Sequence, residues 1–216
     1  MFLILWTCLL ISSLTGAQQS SLSGFSLQKR KLNAYVTANA VHVKPANRSQ
    51  TIHGRKVPYL EATPPFLIKT RGSILILTDD PTLLLSGRPS LFAMLTASGH
   101  RTIMPYVSIT SASSFIHAAE MHNVCLISFS PSSSFDQLQS IVLVDPKEGQ
   151  DLPPSELPSL LLYTRNRVTD SPEGEEWKNT RVESIRYETS DMEGATEARE
   201  AFGQILTNFL DYVNPR

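Results

Sequence analysis

Four short runs of uninterrupted apolar residues constrain this chain most. They are Ser73-Ile74-Leu75-Ile76-Leu77, Val124-Cys125-Leu126-Ile127-Ser128-Phe129, Ile141-Val142-Leu143-Val144 and Leu160-Leu161-Leu162-Tyr163. A strand with one face in water alternates apolar and polar residues. A strand without alternation is buried on both faces. Between and after these runs lie segments with helical spacing. Pro89 to Ala97 carries Leu91, Phe92, Met94 and Leu95, with Gly99 near its end. Ser111 to His122 carries Phe115, Ile116, Ala118 and Ala119, and Asn123 stands at its cap. The closing segment carries Ala198, Phe202, Ile205, Leu206, Phe209 and Val213, and Ser190 with Glu193 reads as its capping box. Buried strands alternating with helices require an α/β fold with a mostly parallel, doubly wound sheet covered on both faces.

Further strands are expected at Tyr59–Ala62, Phe66–Lys69, Thr102–Val107 and Ser184–Tyr187, and a short helix over Ser133–Gln139. The chain has 216 residues, enough for one domain of ordinary size. Phe2 to Leu14 is almost wholly apolar and is followed by the small residues Thr15-Gly16-Ala17. That pattern reads as a signal peptide, residues 1–17, cut after Ala17, which implies a secreted or periplasmic protein with no stable membrane span after cleavage. The alternative is an N-terminal membrane anchor, with Lys29, Arg30 and Lys31 beyond it. Residues 18–54 are rich in Ser, Gln, Asn and Thr and read as a polar N-terminal arm, within which Leu32–Val43 has the pattern of an edge strand or short helix. The domain itself is expected over 55–216. Asn47-Arg48-Ser49 matches a glycosylation acceptor, which matters only on a eukaryotic secretory route.

The net charge of -1 excludes the basic excess of a nucleic-acid-binding protein. After the apolar leader only Cys125 remains, so no internal disulfide is possible, and Cys125 reads as a small buried hydrophobe. Gly72, Gly87 and Gly99 are isolated, so there is no phosphate-cradling loop and no cofactor is expected. Asp79 and Asp80 with Asp145 offer oxygen ligands to a hard cation, or form turns and helix caps. His117 and His122 are not at the four-residue spacing of a helical metal pair.

Ligands of such sheets sit beyond the carboxyl ends of the strands. The cleft candidates are therefore Asp79, Asp80, Ser128 and Ser132, with an unknown small molecule or an envelope protein as partner. Ser128-Phe129-Ser130-Pro131-Ser132 has the spacing small-x-Ser-x-small of a nucleophile elbow, where a tight strand-to-helix turn excludes large neighbours. It equally suits Ser130 as a helix cap with Pro131 in the first turn.

From Arg71 onward the order of elements resembles a reduced α/β-hydrolase. Arg71–Leu77 is similar to the strand before the oxyanion loop, Pro89–Thr102 to the helix and turn that follow, Leu160–Tyr163 to the strand before the catalytic acid, and Asp191–Val213 to the closing helix. More narrowly, the chain looks like a poorly characterised family of secreted proteobacterial hydrolase-like proteins. The resemblance places a nucleophile at Ser130 and an acid at Asp170. It also expects a histidine before the last helix, where Thr189, Ser190 and Asp191 stand. All five histidines precede Ser130. The expected oxyanion loop holds Asp79, Asp80 and Pro81, two carboxylates and a residue without an N–H. The resemblance therefore implies a catalytically degenerate relative acting by binding. The alternatives are an active serine esterase with a displaced base, His100 or His53, and an envelope interaction module using the arm.

Overall fold

A computed structural model describes residues 34–107, 111–129, 136–146, 153–154, 156–163, 180–184 and 192–214. The chain divides into two compact units, Met1–Ala38 and Asn39–Arg216. In the first, residues 34–38 are helical. The second holds an eight-stranded sheet.

The strands are β1 (Ala46–Ile52), β2 (Arg55–Ala62), β3 (Gly72–Leu77), β4 (His100–Pro105), β5 (Val124–Ser128), β6 (Leu138–Val144), β7 (Ser159–Tyr163) and β8 (Thr180–Ser184). Among the described residues after β1, the helices are α1 (Thr82–Leu85), α2 (Leu91–Ala97), α3 (Ala112–Ala118) and α4 (Met192–Val213). The spatial order is β1-β2-β4-β3-β5-β6-β7-β8. Strands β3 to β8 pair in parallel, and β2 is antiparallel to both β1 and β4. This is the mostly parallel, doubly wound sheet that the apolar runs require.

The runs are buried for the reason their sequence implies. Ile74, Leu75 and Ile76 have no exposed surface, nor have Cys125, Leu126 and Ile127. Alternate residues point to opposite faces. Ile74, Ile76, Cys125 and Ile127 pack on one side with Leu91, Phe92 and Leu95 of α2 and Phe202, Leu206, Phe209 and Leu210 of α4. Leu75, Val124 and Leu126 pack on the other with Ala112, Phe115, Ile116 and Ala119 around α3. Each fully buried aliphatic or aromatic side chain contributes about 1.5–3 kcal/mol, so the two layers hold the sheet between them. Ser90 and Ser111 start α2 and α3 by accepting the N–H of Ala93 and Ser114.

From β3 the chain crosses to β4 on one side, then returns past β3 to β5 on the other. The direction of winding therefore reverses between β3 and β5, and the carboxyl ends of these two strands flank the crevice where such sheets take ligands.

The local expectations fail in three places. Phe66–Lys69 is a turn rather than a strand: the Ile68 N–H donates to the Pro65 carbonyl (2.8 Å), because Pro64-Pro65 cannot enter a ladder. Leu138 and Gln139, expected in a short helix, open β6, which pairs alongside β5 with Val124 opposite Leu138. Strand β8 runs Thr180–Ser184 in register with Ser159–Tyr163, and of the expected strand Ser184–Tyr187 the residues 185–187 lie outside the described residues. Finally, the sheet takes in β1, upstream of residue 55. A two-residue turn, His53-Gly54 (φ 48° and 75°), folds β1 back on β2. Of the α4 capping box, Ser190 lies outside the described residues.

Candidate functional site at the carboxyl edge

Register brings the β3 and β5 ends together. Leu77 stands opposite Ser128, and the Phe129 N–H donates to the Leu77 carbonyl at 2.9 Å. The segment Thr78-Asp79-Asp80 thus leaves the sheet beside Ser128-Phe129, as the cleft assignment of Asp79, Asp80 and Ser128 expects. Ser130, Ser132 and Asp170 lie outside the described residues. Ser128 is buried, because its side chain alternates onto the α3 face of a central strand. Phe129 points to the opposite face and stacks on Phe202 of α4, with ring centroids 6.1 Å apart and planes at 23°. The sequence offered no signal for this aromatic pair, since the two residues are remote along the chain.

The loop after β3 uses its own polar groups internally. Thr78 Oγ1 donates to the Asp80 carbonyl (2.9 Å) and accepts from the Asp80 N–H (3.1 Å). The Thr82 N–H donates to Asp80 Oδ1 at 2.9 Å. Hydrogen bonds from the Thr82 hydroxyl and N–H hold the Asp80 carboxyl below its ordinary value. The carboxylate is therefore ionised and spent on starting α1, a turn-and-cap role. An oxyanion site needs backbone N–H groups aimed outward at developing negative charge. Here the Asp80 and Thr82 N–H groups face inward, Pro81 has none, and Asp79 adds a carboxylate on the rim. Asp145 is exposed after β6, with φ 49° and its N–H donated to the Leu162 carbonyl. Among the described residues no group of three or more His, Cys, Asp or Glu gathers to hold a metal ion.

The histidines lie elsewhere. His100 opens β4 opposite Gly72, at the amino edge of the sheet. From Gly72 to Leu77, β3 rises roughly 16 Å, so His100 is a sheet-length away from the β5 corner. It is fully buried, and its Nδ1 is 3.0 Å from Ser98 Oγ. His53, in the β1–β2 turn, is on the carboxyl side, and its Nε2 lies 3.1 Å from Ser114 Oγ. Strands β4 and β3 intervene between its hairpin and β5, a lateral separation of roughly 14 Å. His42, His117 and His122 are exposed; the last two flank the C-terminal end of α3, from which the chain enters β5 at the amino edge.

Two further features of the corner arise from the covalent chain. In a nucleophile elbow one oxyanion donor is the N–H of the residue after the nucleophile. After Ser130 that residue is Pro131, which has no N–H. The connection from β5 back to β6 spans only residues 129–137, of which Asp136 and Gln137 already form a turn. A parallel crossover ordinarily takes a dozen residues or more. Pro131 was legible in the sequence; the short crossover emerges only once β6 is known to start at Leu138. Cys125 is fully buried, and burial pushes its thiol up to about 12, partly offset by a hydrogen bond with Ser140. Burial thus disfavours the thiolate, the form in which a cysteine attacks or binds a metal.

No protein-family model matches the sequence, and comparison with curated proteins finds no match. Solved structures do match, at low identity. Est1E from Butyrivibrio proteoclasticus superposes with a TM-score of 0.55 at 9% identity, covering 79% of this chain and 99% of that one. A bacterial membrane phospholipase A, described as a virulence factor, gives 0.53 at 13% identity over 100% of both chains. A CIB-like hydrolase from Thermoplasma acidophilum gives 0.51 at 15%, covering 79% and 99%. The chain has the α/β-hydrolase fold, in agreement with the resemblance read from its element order.

Proposed function

We propose that this protein is an exported α/β-hydrolase-fold protein that has lost hydrolytic chemistry and acts by binding a small molecule or envelope protein at the β3/β5 carboxyl edge. The observation that carries the proposal is the lack of an imidazole for the β5 corner. All five histidines precede Ser130, and His100, the most deeply buried of them, stands at the opposite edge of the sheet. A serine hydroxyl is a poor nucleophile near neutral pH unless a base removes its proton.

The oxyanion side supports the same reading. Pro81 and Pro131 remove donors from both loops that would have to supply them, and Asp80 draws the Thr82 N–H inward. What remains at the edge is the buried hydroxyl of Ser128 towards α3, the Phe129–Phe202 ring pair on the opposite face, and the exposed Asp79 and Asp80. Such a surface suits a ligand with an apolar body and hydrogen-bond donors.

The test is turnover of short p-nitrophenyl esters by the purified protein and by Ser130→Ala. Equal background rates are expected; wild-type turnover well above the variant would overturn the proposal. Export is checked separately, by N-terminal sequencing of the protein recovered from the envelope and the medium. A mature chain starting at Gln18 is expected, and retention of Phe2–Leu14 would make the protein membrane-anchored instead. Among the described residues no helix is long and apolar enough to cross a membrane.

A further inference from the structure

The binding reading has no use for the edge of the sheet at β1. That strand stands first in the spatial order, with β2 on one side and, among the described residues, no strand on the other. Which of its backbone groups point outward follows from Pro58. The Tyr106 N–H donates to the Pro58 carbonyl at 3.0 Å, so the Pro58 backbone faces β4. In an antiparallel ladder the N–H and C=O of one residue point to the same side, and every second opposed pair turns its groups away from each other. Ser49 stands opposite Pro58, and the seven β1–β2 pairs run without a bulge. The Ser49 backbone therefore points away from β2, and so do those of Asn47 and Thr51, two residues to either side. Among the described residues no backbone group pairs with these three from outside.

This edge lacks the usual protections. Free edges are ordinarily blunted by a proline, a bulge, a charge aimed along the edge or a covering segment. Strand β1 has seven residues and no proline. Its one charged side chain, Arg48, is turned to Glu61 at 3.6 Å. Of the nearby cations, Lys44 precedes the strand, and Arg55 and Lys56 lie behind it on β2. Both ends of the strand are tied down. The Tyr106 hydroxyl donates to Asn47 Oδ1 at 2.6 Å, and in the following turn His53 Nε2 lies 3.1 Å from Ser114 Oγ of α3. A strand already held extended loses little freedom when it receives another.

The strand is also complementary to itself. With a two-fold axis at Ser49, Asn47 of one copy stands opposite Thr51 of the other, and the two Ser49 residues face each other. All three outward-pointing residues of each copy then bond in pairs. Between them Arg48 meets Gln50, and at the ends Ala46 meets Ile52. No like charges stand directly opposite, and the two Arg48 residues, on a diagonal, each keep their own Glu61. We infer that β1 is the contact of a two-fold dimer, in which two copies pair β1 antiparallel to β1 and join their eight-stranded sheets. Strand β1 runs in the same direction as β3, so the two β3/β5 carboxyl edges open on opposite sides of the joined sheet and both stay accessible. A single strand pair is a small interface, so the dimer is concentration-dependent. The inference uses no residue of the crevice, and its failure would leave the binding proposal intact.

The test is sedimentation velocity of the full chain over a wide concentration range, with a dimer growing in as concentration rises. Ser49→Pro removes an N–H that points away from β2, so it costs no β1–β2 bond and is expected to be a folded monomer over the same range. A cysteine map gives a second readout that does not depend on that variant folding. In a Cys8→Ser background Cys125 is fully buried, so an introduced thiol is the reactive one. Directly opposed Cα atoms in a bonded pair are about 5.5 Å apart, within disulfide range. Ser49→Cys is therefore expected to form a disulfide-linked dimer under mild oxidation. Asn47→Cys alone places its two thiols roughly 14 Å apart and should not link to itself, yet should link when mixed with Thr51→Cys. A wild type that stays monomeric throughout would overturn the inference. So would a folded Ser49→Pro that still dimerises, or Asn47→Cys that links to itself as readily as Ser49→Cys.

Discussion

Asp211→Asn should destabilise this protein more than Arg71→Met, although both break one ion pair. Arg71 Nη1 is 2.6 Å from Asp211 Oδ1, and the two side chains are 11% and 23% exposed. At an effective dielectric constant of about 20, the gross attraction is about 6 kcal/mol, most of it offset by desolvation of the two charges. What matters is the group left behind. Without the carboxylate, Arg71 is a nearly buried cation whose remaining bond is a long one to the Ser98 carbonyl, at 3.4 Å. Its Nε and Nη2 are already buried with no hydrogen-bond partner among the described residues. Stranding that charge should cost about 3 kcal/mol, the lower end of the range for a broken buried pair. Arg71→Met removes the cation instead, and Asp211, the more exposed of the two, rehydrates. The change also deletes the two unsatisfied donors, each worth about 1–3 kcal/mol of existing penalty, while the Met stem still packs over Gly99. The expected net cost is about 1–2 kcal/mol. Urea unfolding at neutral pH measures both, with Asp211→Asn expected to shift the midpoint by about 1 M or more. An equal or larger shift for Arg71→Met would refute the assignment of the cost to the stranded guanidinium.

Gly99→Ala should cost at least about 1 kcal/mol: the residue has φ +105°, and a Cβ there would stand 2.9 Å from Arg71 Cδ and 3.2 Å from the Lys69 carbonyl oxygen. Thermal unfolding of the variant checks it. The Cys125 thiol should resist maleimide labelling until the protein unfolds. Its folded value is raised to about 12 from an ordinary 9.0, so its contribution to stability is complete below pH 9 and lost as pH rises towards 12; a Cys125→Ala variant should show a flatter alkaline decline in unfolding midpoint. Asp80 has the opposite sign. Its carboxyl is held below the ordinary value by Thr82, so its stabilising effect is present above the ordinary carboxylate range and lost as pH falls through the depressed value. Asp80→Ala should abolish that acid-side component, read by unfolding midpoints between neutral and acidic pH.

The sequence by itself determined the layers. Runs such as Ile74-Leu75-Ile76 and Cys125-Leu126-Ile127 have no polar face, so each had to lie between two covers, and the helical spacing of Phe115, Ile116 and Ala119 or of Phe202, Leu206 and Phe209 supplied them. Periodicity is a local property, and burial follows from it directly. The residues on which the proposal of lost chemistry rests were also legible: a histidine absent after Ser130 and a proline at 81 or 131 are facts of the sequence, independent of geometry.

Only the tertiary structure decided what depends on pairing between distant segments. Gly72 opposite His100 and Leu77 opposite Ser128 put a buried histidine and the crevice at opposite edges. Nothing in either segment encodes that register, because it is set by strands that meet only after folding. The same holds for Phe129 on Phe202, for β6 starting at Leu138, and for β1, whose polar exposed residues carry no apolar period and become a strand only through the ladder offered by β2. The turn at Phe66-Leu67 is the sharpest case. Three apolar residues after two prolines look like a strand in isolation, and whether they enter the sheet or project from it depends on whether a neighbouring edge is free to receive them.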